Sequence, residues 1–247
     1  MGDVMVLCYH AVAPDWDSSL AVTPEEFERQ IAHLLAHRWQ PTTFTTATLA
    51  PPSARTLAIT FDDAFASVKR YAVPILRAMN APATMFAPTA FMDGASALRW
   101  NGIEEWLGTP TERQLAPLSW DELGELTELG WEIGSHTCNH PRLTELDDLE
   151  LERELAESRQ TCTERLARPC TSIAYPYGNV DQRVADATAR TGYTAGAGLS
   201  SNLRRLGALR QPRLGIYRVD DWPRFRVKML RAARVARAMP LWPSGPG

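Results

Sequence analysis

The sequence predicts an α/β fold in a single domain, a parallel β-barrel wrapped by helices. Three observations predict it. Short apolar runs alternate with longer helical patterns, a rhythm that implies parallel strands joined by helical crossovers. Six or seven such units follow one another, which suits a barrel better than an open sheet. The unusual polar residues His10, Asp62, Asp63, His136 and the Pro176-Tyr177-Gly178 turn each follow the C-terminal end of an expected strand. In parallel barrels that rim is where chemistry is done.

The elements follow in order. Residues 5–9 read as a buried strand. Thr23 is suited to cap a helix, with Pro24 in its first turn and Glu26 three residues after the cap, and Phe27, Ile31, Leu34 and Leu35 continue it. Residues 57–61 form the next strand and end in the Asp62-Asp63 pair. A helix over 68–79 leads to a strand over 83–87. Residues 93–119 break the rhythm with Gly, Pro, Trp and Thr, and read either as a surface loop or as part of a cleft. A helix over 120–129 stops at Gly130, and a strand over 131–134 ends in Ser135-His136. A long charged helix spans 146–166, with Leu149, Leu155 and Leu166 among many Glu and Arg. A strand over 172–174, a helix over 184–191 and a strand over 193–196 complete the pattern. Residues 1–222 are expected to form the barrel, and 223–247 a basic helix and tail.

Bulk properties exclude several classes. The chain has 247 residues, 45% apolar and 22% charged, an ordinary globular composition. Its net charge of −3 gives no general argument for nucleic acid. Cys8, Cys138, Cys162 and Cys170 form no CxxC pair and read as reduced thiols. Cys138 lies between two histidines and is read as a bystander. No secretion signal or apolar run of spanning length is seen, which predicts a cytoplasmic location.

The chemistry-bearing residues fall into three groups. Adjacent carboxylates at Asp62 and Asp63 are costly unless a cation or an Arg sits beside them. His136 and His140, spaced i, i+4, can face one metal ion if the segment turns. With Asp63 they offer two imidazoles and one carboxylate, leaving positions open for water and substrate, the mark of a catalytic site. Zinc suits these ligands best, and other first-row metals would also bind.

Thr60-Phe61-Asp62-Asp63, the run from Ser135 to Pro141 and Tyr175-Pro176-Tyr177-Gly178 occur in the order and approximate spacing of the polysaccharide deacetylases. The chain resembles this family, the family 4 carbohydrate esterases, over residues 4–220. The opening Leu7-Cys8-Tyr9-His10 and the run from Leu118 to Leu123 resemble its branch acting on surface-polysaccharide or glycan precursors. The resemblance implies a distorted (β/α)7-type barrel and a metal-dependent deacetylase of an N-acetylated sugar, glycan or glycolipid. It implies Asp62 as catalytic base, Asp63, His136 and His140 as metal ligands, and the Tyr177 N–H in the Pro176-Tyr177 turn as an oxyanion donor.

Three departures from the family pattern stand out. Ala64 occupies a usual Gly, a mild change at negative φ and a problem at positive φ. Ala174 occupies a usual Arg, and Arg213 is the candidate to replace it beside the base. No His follows His140, so the usual C-terminal acid is missing; the resemblance to the glycan-precursor branch gives that role to His10. His33 and His37 are expected on the solvent face of the first helix. Trp222 is read as surface packing or a pocket wall. The basic run Arg224, Arg226, Lys228, Arg231, Arg234 and Arg237 reads as a solvated helix or a peripheral membrane contact. Two other functions fit the same residues: a hydrolase of a non-sugar amide or cyclic imide, and a carbohydrate-binding relative without turnover.

Overall fold

The computed structural model describes residues 2–93, 96–199 and 202–239. Strand β1 (Asp3–Tyr9) runs through the core to His10 on the rim. A small ribbon pairs β2 (Ala11–Val12) with β3 (Ala21–Val22). Helix α1 (Pro24–Ala36) follows, capped by Thr23, whose hydroxyl accepts from the Glu26 N–H. Next come β4 (Gln40–Thr42), α2 (Phe44–Leu49) and β5 (Arg55–Phe61), from whose end Asp62 and Asp63 project. A π-turn at Val68–Ala72 leads into α3 (Val73–Ala78), and β6 (Thr84–Ala87) follows. Helix α4 (Trp120–Glu128) opens on a capping box between Ser119 and Glu122 and precedes β7 (Glu132–Ser135). Then follow α5 (Asp148–Leu166), β8 (Ser172–Ala174), α6 (Gln182–Arg190), β9 (Ala195–Ala197) and β10 (Leu214–Gly215). Helices α7 (Trp222–Met229) and α8 (Arg231–Arg237) complete the described chain.

The main sheet is parallel in the order β10-β1-β5-β6-β7-β8-β9, and it curls into the barrel the sequence predicts. β1 pairs with β5 along its whole length, from Asp3–Arg55 to Tyr9–Phe61. The other edge of β5 is shared: β4 pairs with Thr56–Ala58, and β6 takes over at Thr60 and Phe61. This split edge distorts the barrel. The two ends of the sheet meet at the segment from Gln211 to Gly215. Its first residue exchanges hydrogen bonds with β9, Gln211 N–H to Gly196 C=O at 2.8 Å and Gly198 N–H to Gln211 C=O at 2.9 Å. Its last two residues pair with Leu7 and Cys8 of β1. β4 and β10 are absent from the sequence reading because neither shows an apolar run long enough to announce a strand.

The main core packs one face of the sheet against the helices, through residues such as Leu7, Ile59, Phe61, Leu123, Leu155 and Phe225, and a smaller cluster of Val6, Ala58, Phe86 and Ala174 with Phe44 of α2 fills the other face. On α5 the buried stripe is Leu151, Glu154, Leu155, Ser158 and Cys162, whereas Leu149 is 79% exposed. The expected single basic helix is two helices. Leu230 between them is extended (φ −59°, ψ 130°), which lets Phe225 and Met229 stay in the core while Arg234 reaches Asp3 at the start of β1. The expected tail at residues 240–247 lies outside the described residues. Trp222 packs under Arg29 and against His33 of α1, as surface packing rather than a cleft wall. His37 is exposed as expected, and His33 is half-buried. All four cysteines are buried free thiols. Among the described residues no helix is long and apolar enough to cross a membrane.

β9 lies close to its neighbours at Gly196, where an added Cβ would meet the Tyr175 hydroxyl and the Leu209 carbonyl. Gly196→Ala is expected to lose about 1–3 kcal/mol through overpacking. Urea unfolding measures this; unchanged stability would show that the seam is loose.

Candidate active site

Asp62 and Asp63 leave β5 in different directions because the backbone turns sharply there. The Asp62 N–H still donates to Tyr9 C=O at 3.0 Å, extending the sheet ladder by one bond. Asp63 (φ 72°) and Ala64 (φ 54°) then enter the left-handed region. For non-glycine residues this conformation costs of order 1–2 kcal/mol each. Ala64 thus occupies the unfavourable case. Its carbonyl accepts from the Leu118 N–H at 2.8 Å, which ties the turn to the segment before α4.

Asp62 is held by Arg213. The guanidinium donates to Asp62 Oδ1 and Oδ2, both at 2.7 Å, to Thr60 Oγ1 at 3.0 Å and to Gly198 C=O at 3.2 Å. Both side chains are buried. A fork-to-fork pair of this kind fixes orientation as well as charge. Burial alone would raise the Asp62 carboxyl, but the Arg213 charge overrides it and holds it at about 2. The pair's contribution to stability is therefore complete above the ordinary carboxyl range near about 4 and fades only as pH falls through 2.

The histidine loop is a second strained turn. Thr137 (φ 67°) and His140 (φ 60°) are both left-handed. Side chains hold them there. Ser135 Oγ accepts from the Thr137 N–H at 3.0 Å, and Thr137 Oγ1 accepts from the His140 N–H at 3.1 Å. Glu154 of α5 accepts from the Cys138 and Asn139 N–H groups at 2.8 and 3.0 Å and from Asn139 Nδ2 at 2.6 Å. Cys138 points at the Glu154 carbonyl and takes no part in the His cluster. The sequence reading did not single out Glu154. Its signal was an acid on the buried stripe of an otherwise solvated helix.

His136 and His140 converge on Asp63. Their Nε2 atoms lie 3.3 and 3.4 Å from Asp63 Oδ1. His136 Nδ1 donates to Ala174 C=O at 2.8 Å, so in the neutral ring the Nε2 lone pair faces the carboxylate. Asp63 Oδ1 is buried and has no hydrogen-bond partner among the described residues. One ligand atom from each of the three residues lies within 4.8 Å of the others. A buried carboxylate oxygen left unbonded between two imidazole nitrogens is a donor set that a divalent cation fits. Burial would raise the Asp63 carboxyl, but the facing imidazoles hold it far below its usual range. Burial lowers His140; in His136 the Asp62 and Asp63 charges outweigh burial and raise it.

His10 lies beside Asp62. It forms a cluster with Asp62 and Cys8, with ligand atoms within 4.8 Å, and is not part of the Asp63 cluster. Its ring stacks on Tyr217 at 6.1 Å between centroids, and its buried Nδ1 has no hydrogen-bond partner among the described residues. Burial lowers its pKa, opposed by the two aspartates.

The Pro176-Tyr177-Gly178 turn forms the far wall. Tyr177 is left-handed (φ 58°), and the turn's bonds run from Gly178 N–H to Tyr175 C=O and Asn179 N–H to Pro176 C=O. Neither uses the Tyr177 N–H. The Tyr177 ring lies 4.7 Å from His140 and its hydroxyl donates to Asn101 C=O at 3.0 Å. Trp100 stacks on His140 at 4.1 Å, and Leu98, Ile103, Leu115 and Leu118 are buried. The irregular segment thus roofs the cluster, and Trp100 is a site residue the sequence reading did not name.

With this geometry established, comparison places the chain. A family model described as polysaccharide deacetylase matches residues 50–196, more than half of its length. The chain belongs to the polysaccharide deacetylase family. A Bacillus subtilis (strain 168) protein, YxkH, named provisionally as a polysaccharide deacetylase, is 27% identical over 196 residues. That match covers 77% of this chain, which spans only 62% of the relative. Among solved structures, the Streptococcus pyogenes deacetylase PplD in complex with acetate superposes with a TM-score of 0.77 at 21% identity, covering 92% of this chain and 98% of that one. A de-N-acetylase from Aggregatibacter actinomycetemcomitans gives 0.72 at 18% identity, covering 90% and 98%. At these identities the structural likeness establishes the family's barrel fold.

Arg213→Met is expected to cost about 3–5 kcal/mol, because it strands the buried Asp62 charge. Adding Asp62→Asn should recover much of that loss, so the double variant unfolds later than the sum of the single variants requires. Additive losses in urea melts would show that the two side chains do not act as a pair.

Proposed function

We propose that this chain is a divalent-metal-dependent hydrolase that removes an acetyl group from an N-acetylated sugar, as a glycan or glycolipid precursor. The observation that carries the reading is the buried, unbonded Asp63 oxygen between His136 and His140, beside a second carboxylate held ionised by Arg213. Asp63, His136 and His140 hold the metal; two imidazoles and one carboxylate suit zinc best. A divalent ion bound there supplies Lewis acidity, polarising the acetyl carbonyl and acidifying the attacking water.

The chain's own residues do the rest. Asp62 accepts the proton of the attacking water. Held at about 2, it is a weak base but an oriented one, since Arg213 occupies both of its oxygens in the fork. The Tyr177 N–H, left over by the turn, is the donor for the oxygen that gains charge as the carbonyl becomes tetrahedral. His10, clustered with Asp62, gives a proton to the departing amine, which cannot leave as an anion. Trp100 stacks on His140 and holds its ring in place. Acetate and a free amino sugar result.

The test is acetate release from a panel of N-acetylhexosamine compounds by zinc-reconstituted protein, with cyclic imides and non-sugar amides alongside. Turnover only on the amides would reassign the substrate, and no turnover with metal bound would favour a binding protein. Asp62→Asn is expected to keep the metal and lose about 10²–10⁴ in kcat; near-normal turnover would sink the assignment of Asp62 as base. His10→Ala should leave metal content intact and lower kcat while KM changes little. Loss of metal from that variant would make His10 a structural prop of the ligand set.

A further inference from the structure

The end of the barrel opposite the rim carries a second concave site. A cleft of about 1260 Å³ opens where β1 and β5 begin, walled by α1 on one side and by α7 and α8 on the other. β1 is seven residues long, which puts this floor about 20 Å from His10 and the aspartates. Arg55, Arg226, Arg231 and Arg234 line it, and Asp3 is the one carboxylate among its lining residues. Arg234 takes both oxygens of Asp3, at 2.8 and 2.7 Å, and lies over the Trp39 ring. That leaves Arg55, Arg226 and Arg231 with no carboxylate within ion-pair distance among the described residues. Among the described residues the Arg55 guanidinium donates to the His37 carbonyl, at 2.8 Å. The excess of positive charge is felt locally: after burial and the neighbouring His37, Arg226 helps to depress the His33 pKa.

The same surface is apolar in patches. Val227 is 59% exposed and Leu230 57%, and both line the cleft. Val235, half exposed, lines an adjoining cavity shared by Pro51, Arg231 and Arg234. From Trp222 onward the sequence holds no acidic residue. Guanidiniums suit phosphate diesters, and neighbouring aliphatic side chains suit the acyl boundary just beneath them.

We propose that the barrel floor docks on an anionic phospholipid surface, with Arg55, Arg226 and Arg231 taking headgroup phosphates and Val227 and Leu230 entering the apolar boundary. Charge complementarity selects this occupant. Docked so, the rim that carries His10 and the aspartates faces away from the bilayer. The proposal does not depend on the activity proposed above.

Co-sedimentation of the full chain with vesicles tests it. Binding is expected to vesicles of phosphatidylcholine mixed with phosphatidylglycerol, and not to phosphatidylcholine alone. Arg226→Ala with Arg231→Ala should weaken partitioning about thirtyfold, and Val227→Ser with Leu230→Ser should weaken it as well. Turnover of a soluble N-acetyl sugar should be unchanged in both variants, which separates a failed surface from a failed active site. Equal binding to both vesicle types, no binding to either, or variants that sediment like the parent would overturn the proposal. So would calorimetric binding of inorganic phosphate without vesicle binding, which would make the cleft a site for soluble anions.

Discussion

The buried pair of Asp62 and Arg213 is the constraint on which the rest of the site turns. Two charges taken out of water repay their desolvation only when geometry is good and every remaining donor is occupied. Here the guanidinium spends its donors on both carboxylate oxygens, the Thr60 hydroxyl and the Gly198 carbonyl. These partners sit on β5 and just past β9, and Arg213 itself precedes β10. One side chain therefore ties together the two ends of the curled sheet and the end of the strand between them. Because Asp62 is pinned on one side of the turn, Asp63 is free to face the histidines on the other.

Strain is concentrated in the same place. Asp63, Ala64, Thr137, His140 and Tyr177 all have positive φ without being glycine, and all lie on the three loops that build the site. Such conformations persist when neighbouring structure over-determines them. The restraints are visible: the Leu118 N–H on Ala64, Ser135 and Thr137 on the histidine turn, and Glu154 beneath its peptide groups. Glu154 replaces the water that three polar groups would otherwise need, and it comes from a helix whose other acids are mostly in solvent. Preorganisation of this kind fixes the donor atoms before any ligand arrives.

Much of this was legible in the sequence, and the limits have physical causes. The alternation of strands and helices announced the barrel, because buried parallel strands read as apolar runs and their ends as polar breaks. Asp62, Asp63, His136 and His140 could be named because their types and spacing are unusual at strand ends. Residues whose importance depends on long-range meeting were harder. Arg213 could be suggested only by the gap left at Ala174, since 151 residues separate it from Asp62. Trp100 reads as one more aromatic in an irregular stretch until its ring is found on His140. β4 and β10 are too short to carry a pattern, and the break at Leu230 follows from Arg234 reaching Asp3, a contact invisible in any local window.

The closure at Gln211 has a consequence for folding and activity alike. The barrel ring is completed through a single residue on the β9 side, and two positions later the same segment supplies the arginine that orients the proposed base. Folding completeness and catalytic competence are thereby read from one short stretch of chain. A copy whose ring fails to close keeps Asp63, His136 and His140 but lacks the oriented Asp62 carboxylate to set against them. On the proposed function, such a molecule would be an inactive species. Change at the seam is thus felt in the stability of the fold and in the orientation of Asp62 together.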